Sequence, residues 1–354
     1  MECTNLYAGF IYASARLLHE HGQLVSINPR SFANGPYFRD FRQKLFALAP
    51  LHAVHVFGSR AKAFSSDKVL QENVILSAIK GPAPDQLDIW SSAAGEAASK
   101  VRTVPIERAI DPDDSSMILH LEISPEDTEI ANLIRALPSS LTDLDIQVST
   151  GRVVDFRARE GLRKSATADS VPLLYPQHLR DASITWPKHA KKADFFCPGT
   201  KYLSQLIPAG TYVLTKRFTS KEEKRRISAA LLTTAKVRGS WYALENHLNY
   251  FHASGKPLDA DLAIGLTAYL NSSLVDGYFR IYNGHTQVNA TDLRVMPYPP
   301  ASVLRDLGKI LHHSSLTTPN VDAVVTKACR NLAETKTQGS PGRSPRTRRS
   351  TRAA

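Results

Sequence analysis

Six cations fall within eleven residues: Lys216, Arg217, Lys221, Lys224, Arg225 and Arg226. Such a cluster can hold phosphate, although a charge run is usually a solvated face and Glu222 and Glu223 partly neutralise this one. A second polar stretch, Asn283 to Arg294, offers His285, Gln287, Asn289 and Arg294, side chains able to follow a nucleic acid or bond to base edges. Asn, Thr and Asp also commonly bond their own backbone, so a structural connector is the competing reading. Nearer the start, Arg30-Ser-Phe-Ala-Asn34 follows a short apolar run and reads as a ligand loop carrying Arg30 and Asn34. The pairs His19/His21 and His52/His55 and the lone His285 lack further ligands at useful spacing, so no metal is expected.

The elements that must position these residues follow from periodicity and punctuation. Thr4 is placed to cap a helix burying Leu6, Phe10, Ile11, Ala13, Leu17 and Leu18. Gln23 to Ile27 reads as a buried strand stopped by Asn28-Pro29, with a helix after Pro36 that packs Phe38, Phe41, Arg42 and Leu45. Strand, loop and helix in that order form a unit of a doubly wound sheet, whose loops at the carboxyl ends of strands hold ligand. His52 to Phe57 and Asn73 to Ile79 read as an antiparallel pair. Pro82, Pro84 and a Ser/Ala/Gly run mark a break between Gly81 and Gly95.

Beyond it, Val101 to Ile106, Met117 to Ile123, part of Leu144 to Arg159 and Tyr212 to Phe218 read as strands. Ser124-Pro125-Glu126-Asp127 starts a helix, Asp259 to Tyr282 is two helices or one interrupted near Asn271, and at least one more follows Pro300. Thr167 to Gly210 is rich in proline and aromatics and gives no clear pattern.

The composition, 42% hydrophobic and 22% charged over 354 residues, can bury a core and would ordinarily make about two domains. Lys and Arg outnumber acids 44 to 33, a net charge of +11 that favours a polyanionic partner. Part of the excess lies in the last nineteen residues, whose Ser, Thr, Gly and Pro content predicts a disordered basic tail. Cys3, Cys197 and Cys329 have no paired spacing, and neither a leader nor an apolar run of about eighteen residues is present, so a cytoplasmic protein without membrane attachment is expected.

At this point the sequence resembles a family, the adenine-specific (N6) DNA methyltransferases of type II restriction-modification systems, most closely the BsuBI/PstI group. The likeness is carried by Thr4 to Phe10, Gly22 to Arg42, Val54 to Arg60, Val69 to Ile75, Val148 to Val154 and Thr215 to Glu222. Above all it is carried by Ala268-Tyr-Leu-Asn-Ser-Ser-Leu-Val275 and by Asn283 to Arg294. These run in the family's order over roughly residues 4 to 300.

The resemblance implies transfer of a methyl group from S-adenosylmethionine to the exocyclic amine of an adenine swung out of double-stranded DNA. The lone pair of that amine is delocalised, so carbonyls must accept its hydrogens while an aromatic ring stacks on the base. The family uses an Asn/Asp-Pro-Pro-Tyr turn for this and a glycine-rich loop for the cofactor, and this chain contains neither. Asn28-Pro29-Arg30-Ser31 and Pro297-Tyr-Pro-Pro300 are lookalikes out of place or order.

The implied fold is therefore α/β, an incomplete Rossmann-like methyltransferase sheet (1–82) followed by a mixed α+β target-recognition domain (83–300), a helical extension (301–335) and the tail (336–354). By the same resemblance Phe64 stacks on the target base, Asn5 and Tyr7 help close the cofactor pocket, and Arg30, Asn34, Arg60, Lys216, Arg217, Lys221, Arg225, Arg226, His285, Gln287, Asn289 and Arg294 contact DNA. The expected partners are duplex DNA, an amino-terminal methyltransferase half on a separate chain and a cognate restriction endonuclease. The alternative is an inactive DNA-binding specificity module or truncated remnant.

Overall fold

The computed structural model describes residues 5–57, 72–92, 97–219, 223–312, 316 and 318–338. Helix α1, Leu6–Leu17, starts at Asn5, whose side chain accepts from the Tyr7 N–H at 3.2 Å. The expected cap, Thr4, lies outside the described residues. The buried face of α1 is narrow, Ala8, Ile11 and Ala15, whereas Leu6, Phe10 and Leu17 are exposed. A helix with apolar residues on two sides does not reveal by periodicity which side is covered.

Strand β1, Gln23–Pro29, leads through the loop 30–38 to helix α2, Arg39–Leu48, and to β2, Leu51–Phe57. Next come β3, Asn73–Ile79, β4, Gln86–Ser92, and β5, Ser99–Pro105, and the sheet order is β1-β3-β2-β4-β5. The expected antiparallel pairing of β2 with β3 is present. β1 and β2 both run antiparallel to β3, while β2 and β4 are parallel. β1 is thus an edge strand and not the buried strand that its apolar run suggested, with Val25 60% and Ile27 55% exposed. The Gly- and Pro-rich stretch after Gly81 does not break the fold; it connects β3 to two further strands of the same sheet. Phe32, Phe41, Leu45, Val54, Leu76 and Leu121 belong to its single core.

Met117 to Ile123 is not a strand. Asp114 accepts from the Ser116 and Ile118 N–H groups, and the Leu119 and Leu121 N–H groups donate to Ala33 and Ile281 carbonyls, so this backbone finds its partners outside any ladder. A short helix α3, Ile106–Ala109, precedes it, and α4, Pro125–Arg135, follows with the expected Ser124/Asp127 capping box.

His120, in the same irregular stretch, is ringed by Tyr278 and Tyr282 at 6.2 and 5.6 Å. Burial pushes its pKa down to about 3, and its Nδ1 has no hydrogen-bond partner. The unfolded chain takes up this proton near pH 6.5 while the folded chain resists it, so the stabilising term is complete above 6.5 and is lost as pH falls towards 3. Thermal melts should therefore show His120→Gln losing about 2 kcal/mol less than the parent between pH 7 and 4.5; parallel pH profiles would refute this.

The remaining chain builds two mixed sheets and a helical layer. β6, Gln147–Thr150, β8, Tyr212–Lys216, β9, Ala229–Leu232, and β11, Leu248–His252, form the body of one six-stranded sheet. β7, Val171–Leu174, and β10, Trp241–Leu244, centre the other. The proline- and aromatic-rich middle supplies mainly strands of two residues, too short for a periodic signal.

Helices α5, Ala260–Asn271, and α6, Ser273–Tyr282, are separated at Ser272, whose hydroxyl accepts from Val275 N–H. A short α7, Ala290–Arg294, precedes α8, Ala301–Leu311, and α9, Thr318–Gln338. α8 crosses α5 closely enough that a Cβ at Gly265 would sit 1.8 Å from the Leu304 carbonyl oxygen.

Candidate nucleic-acid interface

A groove of about 590 Å³ lies between the loop after β1 and the second half of the chain. Gly35 to Phe38 form one wall; Thr150, Arg217, His285 to Gln287, Asn289 to Thr291 and Arg294 form the other. Five of the residues expected to touch DNA therefore meet in one place, although more than seventy positions separate Arg217 from Arg294.

The walls are held by buried polar groups. Arg226, 1% exposed, donates to the Asn283 side chain and to the His285 carbonyl, and its guanidinium lies over the Phe279 ring. Asn34 donates to Asp292 Oδ1 at 3.0 Å and accepts from Gly284 N–H, tying the β1 loop to the connector. The Val288 N–H donates to the Arg217 carbonyl at 2.7 Å, and Asn249 Nδ2 donates to the Val288 carbonyl. Thr150 Oγ1 donates to Asn249 Oδ1, which brings β6 to the same wall. Asn289 heads α7 in a capping box with Asp292.

Arg217 donates once to the Asn246 carbonyl, and its guanidinium lies 5.8 Å from the Phe218 ring. Arg294 is exposed and donates to the Val148 carbonyl at 2.7 Å. Burial, with Arg226 and Arg42 nearby, pushes His285 below its ordinary pKa. Burial also raises the Asp292 carboxyl to about 6, against the lowering by its Asn289 and Asn34 donors. The arrangement offers two arginines, amide side chains and hydroxyls along one face, a set suited to phosphate and base-edge contacts. Tyr37, 56% exposed, and Phe218, 43% exposed, add aromatic surface at the same place. Sequence reading missed both: Tyr37 follows Pro36 in what read as a helix start, and Phe218 ended a strand.

Several expected contacts are elsewhere. Arg30 is 5% exposed, paired with Glu72 at 2.7 Å and bonded to the Arg280 and Ile281 carbonyls, so it is a structural link and not a phosphate ligand. Asn34, 1% exposed, and Arg226 are likewise internal. Arg225 donates to Ser273 Oγ and lies 3.8 Å from an Asp322 oxygen, a mostly covered position. Lys216 is half-buried and absent from the groove walls. Asn5 caps α1, and the Tyr7 hydroxyl is 3.3 Å from Ser31 Oγ with its ring 5.7 Å from that of Phe38, so both brace the groove wall. Arg60, Phe64 and Lys221 lie outside the described residues.

No family model matches the chain. It is 42% identical over 331 residues to the type II methyltransferase M.PstI of Providencia stuartii, covering 93% of this chain and 65% of that protein. With the type II methyltransferase M.BsuBI of Bacillus subtilis it shares 44% identity over 314 residues, 87% of this chain and 62% of that protein. The chain is a homologue of these PstI and BsuBI type II methyltransferases. It spans somewhat under two-thirds of the length of each. Its fold is also similar to that of the type IIL restriction-modification enzyme MmeI, solved in complex with DNA, with a TM-score of 0.53 at 10% identity over 96% of this chain and 49% of that one. Among the described residues no cluster of three or more His, Cys, Asp or Glu is placed to hold a metal ion, and no helix is long and apolar enough to cross a membrane.

Proposed function

We propose that this chain is the duplex-binding portion of an adenine-N6 DNA methyltransferase, comprising the late strands of the catalytic sheet and the target-recognition domain. The observation that carries the reading is the groove, which gathers Arg217, His285, Gln287, Asn289 and Arg294 beside two exposed aromatic rings. Homology to type II methyltransferases supplies the reaction class. DNA is held by charge and positioned by the wall, and the target adenine leaves the stack to reach the reacting centre. Phe64 is the ring assigned to stack on it.

S-adenosylmethionine supplies an electrophilic methyl group on a sulfonium. Asn5 and Tyr7 do not form a cradle for it, since one caps α1 and the other packs on Phe38 next to Ser31. We therefore assign no step of the transfer to this chain alone. The cofactor loop and the Pro-Pro-Tyr-type turn belong to a complementary half, and a cognate endonuclease is the natural companion of such an enzyme in the cytoplasm. The second reading, a specificity module with no transfer activity, is favoured by the same two facts together: an assembled groove and no catalytic turn.

The test is methyl transfer from labelled S-adenosylmethionine to duplex DNA. The chain alone should bind duplex and transfer nothing, and the segment of the P. stuartii relative that it does not match, added as a separate polypeptide, should restore transfer. Transfer by the chain alone would overturn the two-part reading; binding without transfer in the mixture would leave the specificity module.

A further inference from the structure

Both side-chain oxygens of Glu245 bond to a single residue, His247. Glu245 follows strand β10, is 1% exposed, and donates its backbone N–H to the Leu174 carbonyl. Its Oε1 lies 2.5 Å from His247 Nδ1, and its Oε2 accepts from the His247 backbone N–H at 3.0 Å. The turn is closed without the imidazole, because the Leu248 N–H donates to the Glu245 carbonyl at 3.0 Å. A buried carboxylate is costly to keep charged, and the bond to Nδ1 adds nothing to the turn but a fixed direction for the ring.

That ring borders the groove. The His247 side chain is 50% exposed, its ring centroid is 5.1 Å from that of Phe218, and its carbonyl accepts from the Arg217 N–H at 2.9 Å. Phe218 bridges in turn to Gln287. His247, Phe218 and Gln287 thus lie side by side on three separate segments, next to Arg217. Among the described residues Nε2 of His247 makes no hydrogen bond. A carboxylate only accepts, so Nδ1 carries the hydrogen, and in the neutral ring Nε2 is left as an acceptor for a ligand.

We propose that Glu245 and His247 form a base-reading pair, in which the carboxylate fixes the ring and Nε2 accepts a hydrogen from the exocyclic amine of an adenine or cytosine in the bound duplex. In the major groove these two bases show an amine donor, whereas guanine and thymine show only acceptors. Phosphate oxygens also only accept, so a ring held as an acceptor gains nothing from the backbone and discriminates between bases. His247 touches the base, and Glu245 is a positioning residue that acts through the ring. The inference rests on the duplex-binding function proposed above and names what one part of that surface reads.

The probe is a pool of duplexes randomised in sequence, selected by the full chain at pH 8, where the neutral form of an imidazole is favoured. The parent should select a position holding adenine or cytosine, and a base analogue without the amine at that position should weaken binding about tenfold. His247→Ala should lose that preference and keep the others; it also leaves Glu245 without its ring partner and should melt lower. The isosteric Glu245→Gln avoids that cost. Its amide oxygen keeps the His247 N–H, so the amide NH2 faces Nδ1 and the ring hydrogen moves to Nε2, which becomes a donor. That variant should turn the same position towards guanine or thymine, a reversal that a merely structural role would not produce. Unchanged preferences in both variants, a loss spread evenly over all sequences, or a loss without reversal in Glu245→Gln would each overturn the proposal. A parent chain that binds no duplex would overturn the proposed function, whereas one that binds without selecting any base would overturn this inference alone.

Discussion

Replacing Arg42 with methionine should cost about 3–5 kcal/mol and lower the melting temperature by roughly 10 °C. Its side chain is fully buried and donates to four backbone carbonyls: Phe32, Asn34, Gly35 and Ser116. Nε adds a second bond to Ser116 at 2.8 Å. Among the described residues no carboxylate comes within ion-pair distance of this guanidinium, and burial, against the opposing charge of Asp114, pulls its pKa down to about 10, yet it stays charged at neutral pH. Methionine has similar length, so little space is lost; the cost comes from carbonyls left dry without donors. Lysine should rescue poorly, because a single ammonium cannot reproduce the planar fork. The damage should centre on the β1 loop, including the Gly35 to Phe38 wall of the groove. A melting temperature within 2 °C of the parent would show that the loop is held by other means.

Removing two groove cations together, Arg217→Ala with Arg294→Ala, should weaken duplex binding by about ten- to a hundredfold at moderate salt. Each arginine gives one bond to a carbonyl and retains further donors, so neither is consumed by the fold. The contrast is Arg226→Ala, which removes the bonds to Asn283, Thr219 and the His285 carbonyl. That variant should lower the melting temperature first, and affinity only through loss of the wall.

Much of the local structure was legible. The Ser124/Asp127 cap, the β2–β3 pair and the break after Asn271 followed from capping chemistry and apolar spacing, which act over a few residues. Asn283 to Arg294 allows either a DNA surface or a connector on its sequence alone, and the structure divides its residues between internal ties and the lining of the groove. Asn283 and Asp292 are internal ties, while His285, Gln287, Asn289 and Arg294 line the groove.

The cation run at 216–226 was not legible, because charge type does not reveal burial. Arg226 is enclosed by partners more than fifty residues away, Arg30 is closed off by Glu72 and two helix-end carbonyls, and among the described residues of the run only Arg217 lines the groove. The exposed edge position of β1 was hidden for the same kind of reason. An apolar run reads as buried, and whether its neighbours are present is a property of the whole sheet. The loose stretch after Gly81 misled because Gly and Pro mark any turn, including one between strands of a single sheet.

The most direct test is an equilibrium titration of duplex DNA, repeated across salt concentration, with the parent chain and the Arg217→Ala, Arg294→Ala double variant. If the groove holds the phosphate backbone, the slope of log K against log salt should fall by nearly two in the variant, at unchanged melting temperature. An unchanged slope with unchanged affinity would place the duplex elsewhere on the molecule.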